Sequence, residues 1–204
     1  MLRDGMTIRT LFVTRLYEAM VDKIDLVEEL DHSIRMLAAE DRAGQAWSKA
    51  HGYRGYTSYA SLNDLPARDP VFADLVKLLN GHVRAFAEAS HLDLTRKLKL
   101  DSLWVNLLKP GGTHSGHIHP HSVISGTFYV AVPPGSGGLK LEDPRLPLMM
   151  AAPPRAGHAP EDSRSFVYAA PRPGMVLLWE SWLRHEVPPH DGKGNRLSVS
   201  FNYS

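Results

Sequence analysis

Four histidines fall within eight residues of this chain, in Gly111-Gly-Thr-His114-Ser-Gly-His117-Ile-His119-Pro-His121. On an extended strand, side chains two positions apart share one face, so His117 and His119 can turn two imidazoles toward one point. Pro120 favours this, because the residue before a proline is pushed into extended backbone. Neutral imidazole is the commonest side-chain metal ligand and suits Fe(II), Zn and Cu. A third ligand has to come from a distant strand, and His185 in Trp182-Leu-Arg-His185-Glu-Val is the natural candidate. A histidine-rich tract can also take up metal without catalysis. His32, His51, His82, His91, His158 and His190 read as ordinary surface or hydrogen-bonded histidines.

The rest of the composition narrows the chemistry. Of 204 residues, 43% are hydrophobic and 22% charged, a globular balance that argues against a largely disordered chain. A net charge of +1 removes the usual argument for nucleic-acid binding through a basic face. Zero cysteines exclude disulfides, thiolate zinc sites, iron–sulfur clusters and cysteine nucleophiles together. No apolar run is long enough to span a membrane, and Arg9, Arg15 and Glu18 interrupt the stretch that a signal peptide would need. The expectation is a cytoplasmic protein with neither membrane nor nucleic acid as partner. A homodimer is compatible with a sequence that is otherwise silent on oligomeric state.

The elements that must position the histidines differ between the two halves. Ile24, Val27, Leu30, Ile34 and Leu37 recur at helical spacing and predict an amphipathic helix over Asp22–Ala39. A second helix begins with Asp69 as N-cap and Pro70 at the first helical position, and its apolar stripe runs from Phe72 to Phe86. Gly44–Pro66 has no sustained period and reads as an irregular connection; Thr7–Val13 reads as a strand with Ile8 and Phe12 inward. After Leu100 the period shortens. Trp104–Leu108, Ile124–Val132, Leu139–Leu141, Phe166–Ala169, Met175–Trp179 and Leu197–Tyr203 are strand-like, separated by Gly- and Pro-rich turns with no helix between them. That pattern predicts a mainly β jelly roll over residues 101–204, with residues 1–100 as a helical layer packed on it, in one domain. The Pro-rich stretch 144–164 is a long unperiodic loop, a usual place for function.

Around the histidines the chain resembles the 2-oxoglutarate- and Fe(II)-dependent oxygenases of the prolyl-hydroxylase-like branch. That branch places a glycine, five residues and then H-x-D at the end of a core strand; here Gly111 is followed by five residues and His117-Ile118-His119. Downstream come a Gly-led hydrophobic strand, Gly174-Met-Val-Leu-Leu-Trp179, the distal His185, and a basic residue on the next strand, Arg196. The stretches WVNLLKPGG, HIHPHSVISGTFYVAVP and LLWESWLRHEVPPH are similar to a bacterial group of such oxygenases with unassigned substrates.

The resemblance implies a double-stranded β-helix holding Fe(II), with 2-oxoglutarate as co-substrate and dioxygen and an unidentified substrate as partners. The implied reaction hydroxylates that substrate and releases succinate and CO2. By position His117 and His185 are metal ligands, and Arg196 grips the far carboxylate of 2-oxoglutarate, which a guanidinium can do bidentately. Trp104 and Asn106 line the co-substrate pocket, unless they are a core indole and a turn-capping amide. Arg196 has its own plainer reading as a solvated residue paired with Glu186 or Asp191. One departure stands out: position 119 is histidine where a carboxylate is expected. His119 is then either the third ligand, the reading preferred here, or a bystander while Glu142, Asp143 or Glu180 supplies an oxygen. Three neutral ligands also resemble water-activating zinc sites. A cupin-like metal enzyme and a non-catalytic metal-binding sensor are the alternatives. Cupins, however, expect a glutamate where Val123 or Ile124 stands.

Overall fold

The computed structural model describes residues 6–189 and 191–204, so His190 lies outside the described residues. The elements in chain order are β1 (Tyr17–Met20), α1 (Ile24–Glu40), α2 (Arg42–Ala50), β2 (Gly55–Thr57), α3 (Leu65–Arg68), α4 (Pro70–Ala89), β3 (Leu100–Leu108), β4 (His114–His117), β5 (Ile124–Ala131), β6 (Leu139–Glu142), α5 (Pro147–Ala151), β7 (Phe166–Ala169), β8 (Met175–Glu180), β9 (His185–Val187) and β10 (Arg196–Tyr203). Among the described residues, ten strands form two antiparallel sheets, ordered β1-β8-β5-β10-β3-β2 and β4-β9-β6-β7. The fold is a double-stranded β-helix, mainly β, with a helical layer on the outer face of the larger sheet.

Strand alternation builds this arrangement. Along β10, Leu197, Val199, Phe201 and Tyr203 turn outward into the core shared with Leu30 and Ile34 of α1 and Phe72, Leu75 and Leu79 of α4. Arg196, Ser198, Ser200 and Asn202 turn the other way, toward the inside of the sandwich, where all but the half-buried Ser200 are buried. β8 is apolar on both faces: Val176 and Leu178 meet the helices, while Met175, Leu177 and Trp179 form the inter-sheet core with Leu139, Leu141 and Val187. Gly126 lets the outer layer close over β5, since a Cβ there would stand 2.5 Å from the Phe201 ring and 2.6 Å from Leu178. Gly174 turns the chain into β8 with a φ of 78°, where a Cβ would lie 2.9 Å from the Val21 carbonyl.

Several expectations are corrected. Thr7–Val13 is not a strand, and Ile8 and Phe12 are 77% and 89% exposed rather than inward. Local alternation is not enough without a partner, and the strand forms instead at Tyr17–Met20, where β8 pairs with it. Gly44–Pro66 is not irregular throughout. It carries most of α2, whose N-cap Asp41 accepts a bond from the Gly44 N–H at 3.0 Å, and β2, held against β3. The N-terminal half therefore supplies both edge strands of the larger sheet as well as helices α1 to α4. Within 144–164 lie α5 and a single 3-10 turn at Glu161–Ser163, so a helix does separate two of the C-terminal strands. The helix that starts after Asp69 is as expected: the Asp69 carboxylate accepts from the Val71 N–H at 3.0 Å. Among the described residues, no helix is long and apolar enough to cross a membrane.

Candidate metal centre

His117 closes β4, His185 opens β9, and the two are directly paired across the smaller sheet. His119 lies two residues past the strand, fixed by its backbone N–H donating to the Ser181 carbonyl at 3.0 Å. So the H-x-H pair does not ride on one continuous strand: β4 stops at its first histidine, and the chain bends to bring in the second. One nitrogen from each of His117, His119 and His185 lies within 4.8 Å of the other two.

The tautomers suit a cation. Nδ1–H of His117 donates to the Ser115 carbonyl at 2.7 Å, and Nδ1–H of His185 to the Leu183 carbonyl at 2.8 Å. Each ring is left with Nε2 as its lone-pair nitrogen, the arrangement that orients a metal-binding imidazole. Nε2 of His119 faces Nε2 of His185 at 3.3 Å. Burial, reinforced by the neighbouring His117, pushes His119 down to about 4; burial above all pushes His185 down to about 3. Both are neutral at physiological pH. Among the described residues the cluster contains no carboxylate. Glu142 pairs with Arg184 at 2.9 Å, Asp143 with Arg145 at 2.7 Å, and Glu180 accepts from the Trp182 indole at 3.0 Å.

Behind the histidines a narrow cleft of about 40 Å³, the space of a few waters, runs between the sheets. Arg196, 3% exposed, lies at its inner end with its guanidinium carbon 5.0 Å from the Tyr129 ring centre. It has no carboxylate partner among the described residues; Glu186, one expected mate, pairs with Lys140 at 2.7 Å. Arg196 Nε, the Tyr129 hydroxyl and the Trp179 indole nitrogen are all buried without a hydrogen-bond partner. Burial also raises the Tyr129 phenol, so its proton stays on and available to donate. Three unpartnered donors around one cavity cost several kcal/mol unless an acceptor fills it.

Trp104 lines the cleft and stacks on His119, with ring centres 5.9 Å apart at 24°. From it a run of rings continues outward through Tyr59 and Trp47 to His51, each in contact with the next. Asn106 does not line the cleft. It donates to Ser200 Oγ at 3.1 Å and accepts from Tyr53 at 3.4 Å, bracing the wall from behind. Sequence reasoning missed Tyr129, Trp179, His114 and Tyr53. Tyr129 was accessible in principle, since Ser125, Thr127 and Tyr129 alternate on one face of β5. Tyr53, whose hydroxyl lies 2.7 Å from His114 Nε2, comes from a segment with no period to place it.

A family model described as "Putative 2OG-Fe(II) oxygenase" matches residues 102–202. Over those residues the chain belongs to the 2-oxoglutarate- and Fe(II)-dependent oxygenases, enzymes whose metal is iron(II) and whose co-substrate is 2-oxoglutarate. Among solved structures, a prolyl-4-hydroxylase from Pseudomonas putida is 17% identical with a TM-score of 0.63, over 93% of this chain and 92% of that one. HygX from Streptomyces hygroscopicus, crystallised with nickel and 2-oxoglutarate, is also 17% identical with a TM-score of 0.60, over 94% and 82%. A viral collagen prolyl hydroxylase from Paramecium Bursaria Chlorella virus-1 is 12% identical with a TM-score of 0.54, over 92% and 94%. At these identities the likeness is one of fold. No curated protein sequence matches the chain.

Proposed function

We propose that His117, His119 and His185 hold the iron, that Arg196 with Tyr129 binds the distal carboxylate of 2-oxoglutarate, and that the protein works in the cytoplasm as a homodimer. In this reading the 204 residues form one domain. The donor set fits both groups. Three neutral nitrogens converge on one point, and three unpartnered buried donors wait in the adjoining cleft for an acceptor-rich anion. That juxtaposition carries the assignment. Bound there, iron(II) supplies a dioxygen-dependent oxidation in which 2-oxoglutarate goes to succinate and CO2 while an unidentified substrate is hydroxylated.

The protein's own contribution is positional. The Ser115 and Leu183 carbonyls hold two imidazoles in the ligating tautomer. Arg196 presents a fixed charge that two oxygens can share, and Tyr129 adds a neutral donor. Trp104 stacks against one side of His119. The 144–164 segment, with Met150 89% exposed, is the proposed place of substrate selection.

Anaerobic titration of the iron(II) protein with 2-oxoglutarate tests this. A visible charge-transfer band in the parent protein, lost in Arg196→Ala at the same co-substrate concentration, is the expected result. No band, with stoichiometric iron bound, would overturn the co-substrate assignment.

A further inference from the structure

Residues 6–15 form an arm that is exposed throughout and carries Met6, Ile8, Leu11, Phe12 and Val13, all large, apolar and more than half open to solvent. Such a cluster on one short segment marks a contact surface rather than scattered surface apolarity. The arm carries two positive charges, Arg9 and Arg15, and no acid. It leads directly into β1, which ends the larger sheet: β1 pairs with β8 on one side and with no strand on the other among the described residues. At the far end of β1 lies a groove of about 590 Å³ lined by Met20, Ile24, Val27 and Pro173, with Asp22 and Glu28 on its rim. Met20 and Ile24 are 50% and 68% exposed there.

We propose that two copies of this chain pair through their β1 edges, each laying its 6–15 arm in the other's groove. The idea rests on the homodimer reading above and names its interface. The geometry follows from strand direction. When two β1 strands pair antiparallel about a two-fold axis, the Tyr17 end of each lies beside the Met20 end of the other. The arm that leaves at Tyr17 is thereby delivered to the partner's groove at Met20. An arm of ten residues reaches about 33 Å, ample to cross a groove that starts one short strand away. The sequence of the arm complements the groove twice, apolar against apolar and two arginines against Asp22 and Glu28. Pairing also covers an open sheet edge that is otherwise a site for uncontrolled association. An arm seeking its own groove has to double back along the whole of β1, and residues 6–15 are instead exposed, with none of them lining that groove.

The chain's lack of cysteine makes the test direct. The parent protein, weighed by light scattering after gel filtration, is expected at twice the monomer mass. Phe12→Asp and Ile24→Asp are each expected to shift it to monomer at concentrations at least tenfold higher than the parent requires, with iron binding retained as evidence of folding. Arg9→Glu weakens the dimer, and adding Glu28→Lys restores it. An Ile8→Cys, Ile24→Cys double variant forms an inter-chain disulfide under mild oxidation. A dimer indifferent to all of these changes overturns this interface and leaves the homodimer standing. A parent protein that stays monomeric overturns both, and an intra-chain disulfide shows the arm in its own groove and overturns the exchange.

Discussion

At the scale of single residues, the proposed site separates into groups that would hold a cation and groups that would hold an anion, and substitutions should separate them too. His185→Ala removes a ring whose Nδ1–H is already fixed on the Leu183 carbonyl. It should weaken iron(II) binding by more than the ~10–100-fold typical for losing an outer partner of a ligand, read by competition with a chelating dye. Arg196→Ala should leave iron affinity within a few-fold of the parent while raising KM for 2-oxoglutarate. Losing one partner of a buried charge pair costs about 2–5 kcal/mol, or roughly 30-fold and upward. Steady-state succinate release, measured with saturating iron, checks it. The buried histidines also set a pH dependence. His114, His119 and His185 are held at about 3, about 4 and about 3 when folded, against an ordinary 6.5. The unfolded chain thus takes up protons below 6.5 that the folded chain refuses. Stability of the metal-free protein is full above that value and falls as pH drops from 6.5 toward 4. Urea midpoints at pH 7.5, 6 and 5 should decline in that order, and His114→Phe should flatten the decline.

At the scale of elements, much was legible because β10 alternates apolar and polar residues, while β8 and β5 are short runs rich in apolar, aromatic and β-branched residues. α4 was legible because Asp69 and Pro70 are a chemical start signal, and the structure puts the Asp69 carboxylate on the Val71 N–H. Of the candidate site, the convergence of His117, His119 and His185 was legible from the H-x-H spacing and from the resemblance that singles out His185, although only His117 and His185 are paired across strands. The edge strands of the larger sheet were not, because β2 spans three residues and β1 four, too few to show a period. β9 was hidden for the same reason, although it carries His185. Tyr53 and His114 meet through tertiary packing that no local pattern announces. The elements carry their own prediction at Gly126, where the outer face of β5 has no room for a side chain. Gly126→Val should destabilise by about 1–3 kcal/mol, the usual cost of overpacking a well-filled core. The loss should appear as a lower urea midpoint with little change in iron affinity.

At the scale of the whole molecule, one apolar core joins α1 and α4 to the outer face of the larger sheet, and a second fills the space between the sheets. The β-rich half cannot shed its helices without exposing Val105, Phe128, Val176 and Phe201 together. A fragment of residues 101–204 should therefore be insoluble or bind a hydrophobic dye strongly, whereas the full chain should unfold in a single calorimetric transition. The same layering places two of the four tryptophans at the histidine cluster: Trp104 stacks on His119, and the Trp179 ring meets His185 edge-on at 4.6 Å. The centre is thus built with its own light-emitting reporters. A paramagnetic ion seated among those imidazoles should dim the chain's ultraviolet emission in proportion to occupancy, and Trp104→Phe should remove a large share of that response. Metal loading in this enzyme can then be followed in a fluorimeter, without a substrate in hand.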